Sequence, residues 1–250
     1  MSKKPRFVAF STQKGGAGKT TLTVLVASLL HYVKGKSVAI IDCDYPQHSI
    51  VDMRERDLKM ALDDEYYKQM AYEQFTRLSK KAYPVVESSP KEAVADAEYL
   101  LPQDEFDYIF FDLPGTMNNE DLIHTLAKMD YIIAPISADR VVMESTLDYV
   151  VTVRDHIINS GKSNIKGLYL LWNLVDGREK TELYEVYEKV MQELSLNVMK
   201  CFLPDTKRFR CEQTLDHRAV FRSTLFPADR RLMRGSNLDK LVEELLEVLV

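Results

Sequence analysis

The sequence has few cysteines and no long apolar run, and these are the features that mark disulfide-rich, zinc-binding and membrane-spanning proteins. Its three cysteines, Cys43, Cys201 and Cys211, are odd in number and form no C-x-x-C pair. This argues against a disulfide framework or a cysteine-based zinc site and is typical of a protein in a reducing cytosol. No apolar run approaches the ~20 residues of a membrane-spanning helix. Residues 1–5 contain no apolar segment, so we expect no secretory signal.

Positive charge is also scarce for a protein whose main partner would be nucleic acid. The formal net charge of −5 predicts no global attraction to a phosphate backbone, although a local basic cluster can act differently. The composition is otherwise that of a soluble globular protein, and 250 residues can bury a large core. We therefore expect a single domain over residues 1–250.

Only nine glycines are present, yet three of them fall in one loop. Residues 13–21 read Gln-Lys-Gly-Gly-Ala-Gly-Lys-Thr-Thr and lie between a short apolar run and a long apolar segment. Strand, glycine-rich turn and helix are the context of a phosphate-binding loop, whose backbone N–H groups surround an anion at a helix N-terminus. We expect Lys19 to reach the β- and γ-phosphates and the Thr20 hydroxyl to bind Mg²⁺.

Two further apolar runs each end in a carboxylate. The first is followed by Asp42 and Asp44, and the second by Asp112 and Gly115. In open α/β sheets, ligands bind beyond the carboxyl ends of the strands. The three carboxylates are therefore expected beside the phosphates, with Gly115 supplying a flexible N–H to the γ-phosphate.

The chain alternates between apolar runs and helical patterns, which indicates βαβ crossovers and a parallel sheet. We predict an α/β three-layer sandwich of the P-loop NTPase type, with a mostly parallel central sheet. The predicted strands span residues 7–10, 38–41, 84–86, 108–111, 131–135, 167–173 and 198–204. The predicted helices span residues 19–33, 50–82, 143–158, 180–194 and 237–249.

Local signals fix several of these helix ends. Gly35 is a predicted helix stop, Ser89 a predicted cap for a helix that begins at Pro90, and Ser236 to Asp239 a predicted capping box. The charged, tyrosine-rich segment 50–82 has poor apolar periodicity. A solvated helical layer is the favoured interpretation of that segment, and a partner-specific surface is the alternative.

The phosphate loop and the two aspartate-containing segments resemble those of a known protein family. The run Lys14-Gly15-Gly16-Ala17-Gly18-Lys19-Thr20-Thr21 resembles the deviant Walker A loop of the ParA/MinD ATPases, whose mark is the extra lysine, here Lys14. Asp42-x-Asp44 is similar to switch I of that family, and Asp112-Leu113-Pro114-Gly115 to switch II. The chain looks most like the ParA-type partition proteins of bacterial plasmids and conjugative elements. One departure is Tyr45, which separates Asp44 from Pro46.

The resemblance implies a Mg-ATP-dependent ATPase that forms a homodimer around two nucleotides, with Lys14 reaching the partner's ATP. It implies nucleotide contacts from Lys14, Gly15, Gly16, Ala17, Gly18, Lys19, Thr20, Thr21, Gly115, Asn173, Pro204 and Asp205. The implied magnesium-binding residues are Thr20, Asp42 and Asp112, and the implied catalytic residues are Lys14, Lys19, Asp44 and Asp112. Asp44 would position the attacking water.

Within the family, ParA-type proteins bind DNA nonspecifically and MinD-type proteins bind membranes. Residues 200–234 hold nine basic residues against four acidic ones, a local zone suited to phosphate contacts. The candidate DNA contacts are Arg208, Arg210, Arg218, Arg222, Arg230 and Arg231. The acidic face of the predicted C-terminal helix disfavours an anionic membrane.

These features favour a cytoplasmic, nucleoid-associated protein that acts in DNA partition or maintenance, with a ParB-like or other stimulating partner. Two alternatives stay open at this point. One is a MinD-like spatial regulator at a membrane, and the other is a metabolic P-loop enzyme.

Overall fold

A parallel β-sheet forms the centre of the computed structural model, which describes residues 4–115, 120–178 and 181–250. Within these ranges the strands are β1 (Arg6–Phe10), β2 (Val38–Asp42), β3 (Val85–Glu87), β4 (Tyr108–Asp112), β5 (Tyr131–Ile136), β6 (Gly167–Val175) and β7 (Asn197–Pro204). Their order is β3-β2-β4-β1-β5-β6-β7, and every pairing is parallel. All seven predicted strands are confirmed, with ends that differ by a residue or two.

Helices connect the strands in sequence. They are α1 (Lys19–Tyr32), α2 (Ser49–Asp63), α3 (Glu65–Leu78), α4 (Ala93–Leu100), α5 (Glu120–Leu126), α6 (Arg140–Thr152), α7 (Thr181–Glu193), α8 (Arg230–Met233) and α9 (Leu238–Val248). Helix α6 continues as a π-helical stretch, Val153–Ile158, and a 3₁₀ turn spans Lys207–Arg210. In the described ranges, no helix is both long and apolar enough to cross a membrane.

Successive side chains of each central strand enter opposite cores, because strand side chains alternate between the faces of a sheet. In β1, Val8 and Phe10 join a core that also contains α1 and α9. Phe7 and Ala9 join the other core, with α4, α5, α6 and α7. The all-apolar runs in the sequence are thus strands buried on both faces, as parallel sheets require. The predicted three-layer sandwich is confirmed.

The segment predicted to be helical over 50–82 is helical over most of its length, as the two helices α2 and α3. The chain is extended at Asp64, whose carboxylate accepts a hydrogen bond from the N–H of Tyr66 at 2.9 Å and caps α3. The layer is also less solvated than favoured above. Tyr67 is fully buried and shares a small core with Leu225 and Phe226.

Helix α9 begins within a residue of its predicted start and α4 begins three residues after its predicted start, while the predicted stop at Gly35 is confirmed by its φ of 70° after α1. The Ser89 hydroxyl accepts from the Glu92 N–H at 3.3 Å, but residues 90–92 form a turn and α4 begins later. Before α9 the capping residue is Asn237, in the left-handed region, and the Ser236 hydroxyl instead accepts from the N–H of Leu238 at 3.2 Å. Ser89 therefore makes its predicted capping bond to a turn before α4, whereas Asn237 takes the cap position that was predicted for Ser236.

Helix α9 gives a direct test of this packing. Leu241 is fully buried in the core that α9 shares with α1, so Leu241→Ala is expected to lower the free energy of unfolding by about 2–5 kcal/mol. Glu247→Ala, an exposed change on the same helix, is expected to alter it by less than about 0.5 kcal/mol. Urea denaturation measures both. Equal effects of the two changes would contradict the docking of α9 on the core.

Candidate functional site

Strand register brings the phosphate loop and two carboxylates to one edge of the sheet. Strand β4 lies between β1 and β2, with Asp112 beside Phe10 on one side and Asp42 on the other. The loop that leaves β1 directly follows Phe10. Because the strands are parallel, all three chain segments emerge at the same edge, as the sequence predicted.

The loop takes a conformation that its glycines permit. Gly16 and Gly18 have φ values of 82° and 91°, which disfavour residues with a Cβ. At Gly18 an added Cβ would also lie 2.7 Å from the Nδ2 atom of Asn173. The loop therefore packs closely against β6 before α1 begins at Lys19.

A cavity of about 530 Å³ lies against this loop, a volume within the range of small-molecule sites. Its lining is formed by Gly15, Gly16, Gly18, Lys19, Thr20, Thr21, Leu22, Leu25, Asp44, Gln47, Ser49, Asn173, Leu174, Asp205, Thr206, Phe209, Arg210 and Arg222. Nine of the predicted nucleotide or catalytic residues are in this set. Lys14, Ala17, Asp42, Asp112, Gly115 and Pro204 lie outside the lining.

Asn173 is placed to contact a ligand inside the cavity. It is 4% exposed, and its Nδ2 donates to the Ala17 carbonyl at 2.8 Å. Its Oδ1 is buried without a hydrogen-bond donor among the described residues. A buried acceptor left open costs free energy, so the geometry suits a ligand amino group such as that of adenine.

The second predicted switch approaches the phosphate loop closely. A Cβ added to Gly115 would lie 3.1 Å from the Gln13 carbonyl oxygen and 3.4 Å from the Nζ atom of Lys19. Lys19 itself is 9% exposed. Glycine at this position therefore lets the chain after β4 pass beside the lysine of the loop.

Asp112 is the most unusual group of the site. It is fully buried, and in the part of the chain that the structure describes its carboxylate accepts no hydrogen bond of ordinary geometry, although the Thr20 hydroxyl lies close to it. Burial raises the pKa of Asp112 to about 7; the nearby Thr20 hydroxyl opposes the rise, and the charge of Asp42 adds to it. A buried carboxylate beside a hydroxyl is a group that a bound cation would stabilise.

The carboxylate of Asp42, unlike that of Asp112, accepts hydrogen bonds from backbone N–H groups. It accepts from the N–H groups of Ile50 at 2.9 Å and Val51 at 3.0 Å, at the start of α2. Burial raises the pKa of Asp42, and these backbone donors oppose the rise. The contacts present are those of a helix cap, and a metal contact of Asp42 stays a prediction.

Asp44 follows Asp42 at the mouth of the cavity. It is half-buried and lines the cavity together with Gln47. The intervening Tyr45 side chain is 70% exposed. The extra residue of this switch therefore projects into solvent and leaves Asp44 at the cavity.

Lys14 lies on the outside of the loop. Its side chain is exposed and does not line the cavity. Within the described ranges it forms no hydrogen bond or ion pair. Lys14 is therefore accessible to solvent and lies outside the cavity lining.

The six arginines predicted to contact DNA lie in different environments in the structure. Arg222 and Arg210 line the cavity, and Arg222 donates to the Thr21 hydroxyl at 2.8 Å. Arg208 donates to the backbone carbonyls of Leu232 and Arg234. These placements favour a nucleotide-side or structural role over DNA contact for Arg222 and Arg208.

The other three arginines lie on the surface. Arg218 pairs with Asp216 at 3.1 Å, and Arg231 pairs with Asp229 at 3.0 Å. Both arginines are about four-fifths exposed, so these pairs contribute little to stability and leave the guanidinium groups accessible. Arg230 is exposed as well.

Sequence reasoning missed part of the lining. Phe209 is 6% exposed and forms an apolar wall, and Thr206 lies beside Asp205. The only signal in the sequence was an aromatic residue inside the basic run 207–210. Among the described residues, no group of three His, Cys, Asp or Glu side chains forms a metal site by itself.

Comparisons with known proteins agree with this geometry. The family model of the CobQ/CobB/MinD/ParA nucleotide binding domain matches residues 8–215. An uncharacterized protein of Borreliella burgdorferi, BBD21, is 36% identical over 85 residues. That match spans 33% of this chain and 34% of the relative, about a third of its length.

Solved structures show the same fold over nearly the whole chain. A plasmid partition protein from Borrelia burgdorferi bound to AMPPNP has a TM-score of 0.61 at 17% identity, covering 98% of this chain and 99% of its own. The cell division ATPase MinD of Pyrococcus furiosus has a TM-score of 0.63 at 19% identity, covering 98% and 100%.

A third structure is that of cobyrinic acid a,c-diamide synthase from Mycobacterium smegmatis, with a bound ATP analogue and magnesium. Its TM-score is 0.55 at 20% identity, covering 81% of this chain and 86% of its own. The family model covers most of the sequence, and the phosphate loop, both switches and the parallel sheet lie in the matched region. The chain belongs to the CobQ/CobB/MinD/ParA nucleotide-binding domain family, the family of the ParA/MinD-type P-loop ATPases.

Proposed function

We propose that this protein is a magnesium-dependent ATPase that dimerises on binding ATP, binds DNA without sequence preference, and acts in partition or maintenance of a plasmid or conjugative element. The observation that carries the proposal is the cavity against the phosphate loop, next to a fully buried carboxylate, Asp112, beside the Thr20 hydroxyl. The likeness in fold to a plasmid partition protein supports the cellular role.

The cavity offers separate groups to each part of ATP. The loop N–H groups, the N-terminus of α1 and Lys19 suit the phosphates. Asn173 suits the base, because its Oδ1 is buried and open while its amide nitrogen is held by the Ala17 carbonyl. Asp205, which follows β7, lines the same cavity. Pro204 ends that strand, and its proposed contact with adenine rests on the family resemblance.

Magnesium fits the residues on the other side of the loop. Thr20 would be the direct protein ligand and Asp112, whose buried carboxylate lies close to the Thr20 hydroxyl, would hold the hydrated ion. When bound, the ion neutralises negative charge on the β- and γ-phosphates. Asp44, at the cavity mouth, would orient the attacking water.

The exposed position of Lys14 supports the proposed dimerisation. An exposed lysine outside its own cavity adds a positive charge to a nucleotide only when a second subunit presents it. A cation supplied in trans stabilises the charge of the transition state, as an arginine finger does. Hydrolysis by the monomer is therefore expected to be slow.

DNA contact is assigned to the exposed arginines of the C-terminal third, Arg218, Arg230 and Arg231, with Arg210 at the cavity rim. Helix α9 does not offer an apolar face to a membrane, because Leu238, Leu241 and Leu245 are fully buried against the domain. This favours DNA over a lipid surface. A ParB-like or other protein partner would stimulate the cycle.

The trans lysine gives the first test of the proposal. Lys14→Ala is expected to keep nucleotide affinity within a few-fold, lose ATP-dependent dimerisation, and lower the hydrolysis rate by roughly 10³-fold, the lower range for a cation supplied in trans. Light scattering with a slowly hydrolysed ATP analogue and phosphate-release assays measure these effects. Lys189→Ala, an exposed lysine on α7, is the matched control.

Lys19→Ala distinguishes the role of Lys19 from that of Lys14, because it is expected to abolish productive nucleotide binding, whereas Lys14→Ala is expected to retain it. A Lys14→Ala protein that dimerises and turns over like the wild type refutes the role in trans.

Magnesium binding can be tested at Asp112. We expect Mg²⁺ to tighten ATP binding relative to EDTA, and Asp112→Asn to remove most of that gain, because the amide keeps the shape and loses the charge. Titration of a fluorescent ATP analogue measures both conditions. Asp239→Asn, an exposed change on α9, should leave the gain unchanged. An intact magnesium effect in the Asp112 variant would assign the ion to other groups.

DNA binding is expected to require ATP and to weaken steeply as salt concentration rises, because phosphate contacts release counterions. Arg230→Gln should weaken retention on nonspecific duplex DNA and lower the salt slope by about one. Arg140→Gln, an exposed arginine on α6 outside the basic segment, should leave both unchanged. Binding that is indifferent to ATP and to salt concentration would refute this part of the proposal.

A further inference from the structure

Arg222 enters the nucleotide cavity from the C-terminal segment of the chain. Its Nη1 donates to the Thr21 hydroxyl at 2.8 Å, while its Nε and Nη2 donate to one oxygen of Glu212 at 3.1 and 2.6 Å. These contacts use three of the five N–H groups of a guanidinium. One N–H on each terminal nitrogen has no acceptor among the described residues.

The backbone on either side of Arg222 is fixed. The N–H groups of Phe221 and Arg222 both donate to the Cys211 carbonyl, at 2.8 and 2.9 Å. The next two residues, Ser223 and Thr224, are buried and held by the Asp57 carboxylate. It accepts from the Ser223 hydroxyl at 3.0 Å, the Thr224 N–H at 2.6 Å and the Thr224 hydroxyl at 2.7 Å.

Contacts from α1 and α2 complete this support. The Ser28 hydroxyl donates to the Ser223 carbonyl at 2.7 Å, and Arg54 donates to the Thr224 carbonyl at 3.1 Å. The Arg222 side chain is only 21% exposed. An arginine held in this way is pre-organised at the cavity, unlike the largely exposed Arg218 four residues earlier.

The charges around Arg222 fit an anionic ligand better than a closed ion pair. Glu212 uses one oxygen for Arg222, and its other oxygen lies 3.9 Å from the exposed Arg56. The hydrogen bond to Thr21 places the guanidinium on the phosphate loop, one residue beyond the proposed magnesium-binding hydroxyl. A guanidinium with two open N–H groups matches phosphate oxygens in a fork geometry.

We infer that Arg222 is a phosphate ligand of the bound nucleotide, positioned by Glu212, and that it is not part of the DNA-binding surface. The inference rests on the proposed binding of ATP at this site. It adds to the phosphate loop a cation from a chain segment about 200 residues away. A purely structural alternative is that Arg222 only fastens residues 211–226 to α1.

Nucleotide titration of matched variants tests the inference. Arg222→Gln is expected to weaken binding of both fluorescent ADP and fluorescent ATP by about tenfold or more, because a charge-assisted fork to phosphate is lost. Arg222→Lys keeps the charge but not the fork, so we expect a severalfold loss. Arg140→Gln, an exposed arginine on α6 outside the cavity, should bind within about twofold of the wild type.

A second measurement separates ligand contact from fastening. Thermal melts with and without ADP should show a smaller ADP-induced rise in Tm for Arg222→Gln than for the wild type. A lower Tm without nucleotide, together with an unchanged ADP-induced rise, would overturn the inference in favour of fastening. Unchanged nucleotide affinity with lost DNA retention at saturating ATP would also overturn it and place Arg222 on the DNA surface.

Two further outcomes have defined meanings. If Arg222→Gln does not fold, Arg222→Lys decides, and an affinity within twofold of the wild type overturns the inference. If the wild type binds neither ADP nor ATP, the proposed function fails and the inference fails with it. That result is distinct from a wild type that binds nucleotide and an Arg222 variant that binds equally well.

Discussion

The parallel pairing of β4 between β1 and β2 is the constraint on which the site depends. It sets Asp112 beside both Phe10, which leads into the phosphate loop, and Asp42, which leads into the first switch. Parallel strands release their chains at the same edge, so the phosphate loop and the two predicted switches meet there. The cost of this arrangement is a carboxylate buried without a hydrogen bond of ordinary geometry among the described residues, and a cation of the ligand is suited to offset it.

Switch I and the C-terminal segment are linked through α2. Asp42 caps the N-terminus of that helix, and Asp57, two turns further along, holds Ser223 and Thr224. Arg222, which immediately precedes these two residues, lies on the phosphate loop. Helix α2 therefore contacts Asp42 at its first turn and, through Asp57 near its middle, the segment that carries Arg222.

The basic C-terminal third illustrates why net charge is a poor guide to a surface. Arg222 and Arg208 donate to a hydroxyl, a carboxylate and backbone carbonyls inside the fold, while Arg218, Arg230 and Arg231 face solvent. A count of basic residues treats these groups alike. Their availability to a phosphate backbone depends on which acceptors the fold places within hydrogen-bonding distance.

The seven strands, the phosphate loop and the carboxylates at the strand ends followed from the sequence by itself. Apolar runs that are long enough to be buried on both faces, and glycines required at positive φ, are local properties of the chain. Only the tertiary structure decided that residues 50–82 break at Asp64, that Asp42 caps α2, that Phe209 walls the cavity, and that Arg222 reaches Thr21. These outcomes depend on which donor meets which acceptor between distant segments of the chain. Periodicity, composition and spacing describe local sequence and do not determine such long-range partners.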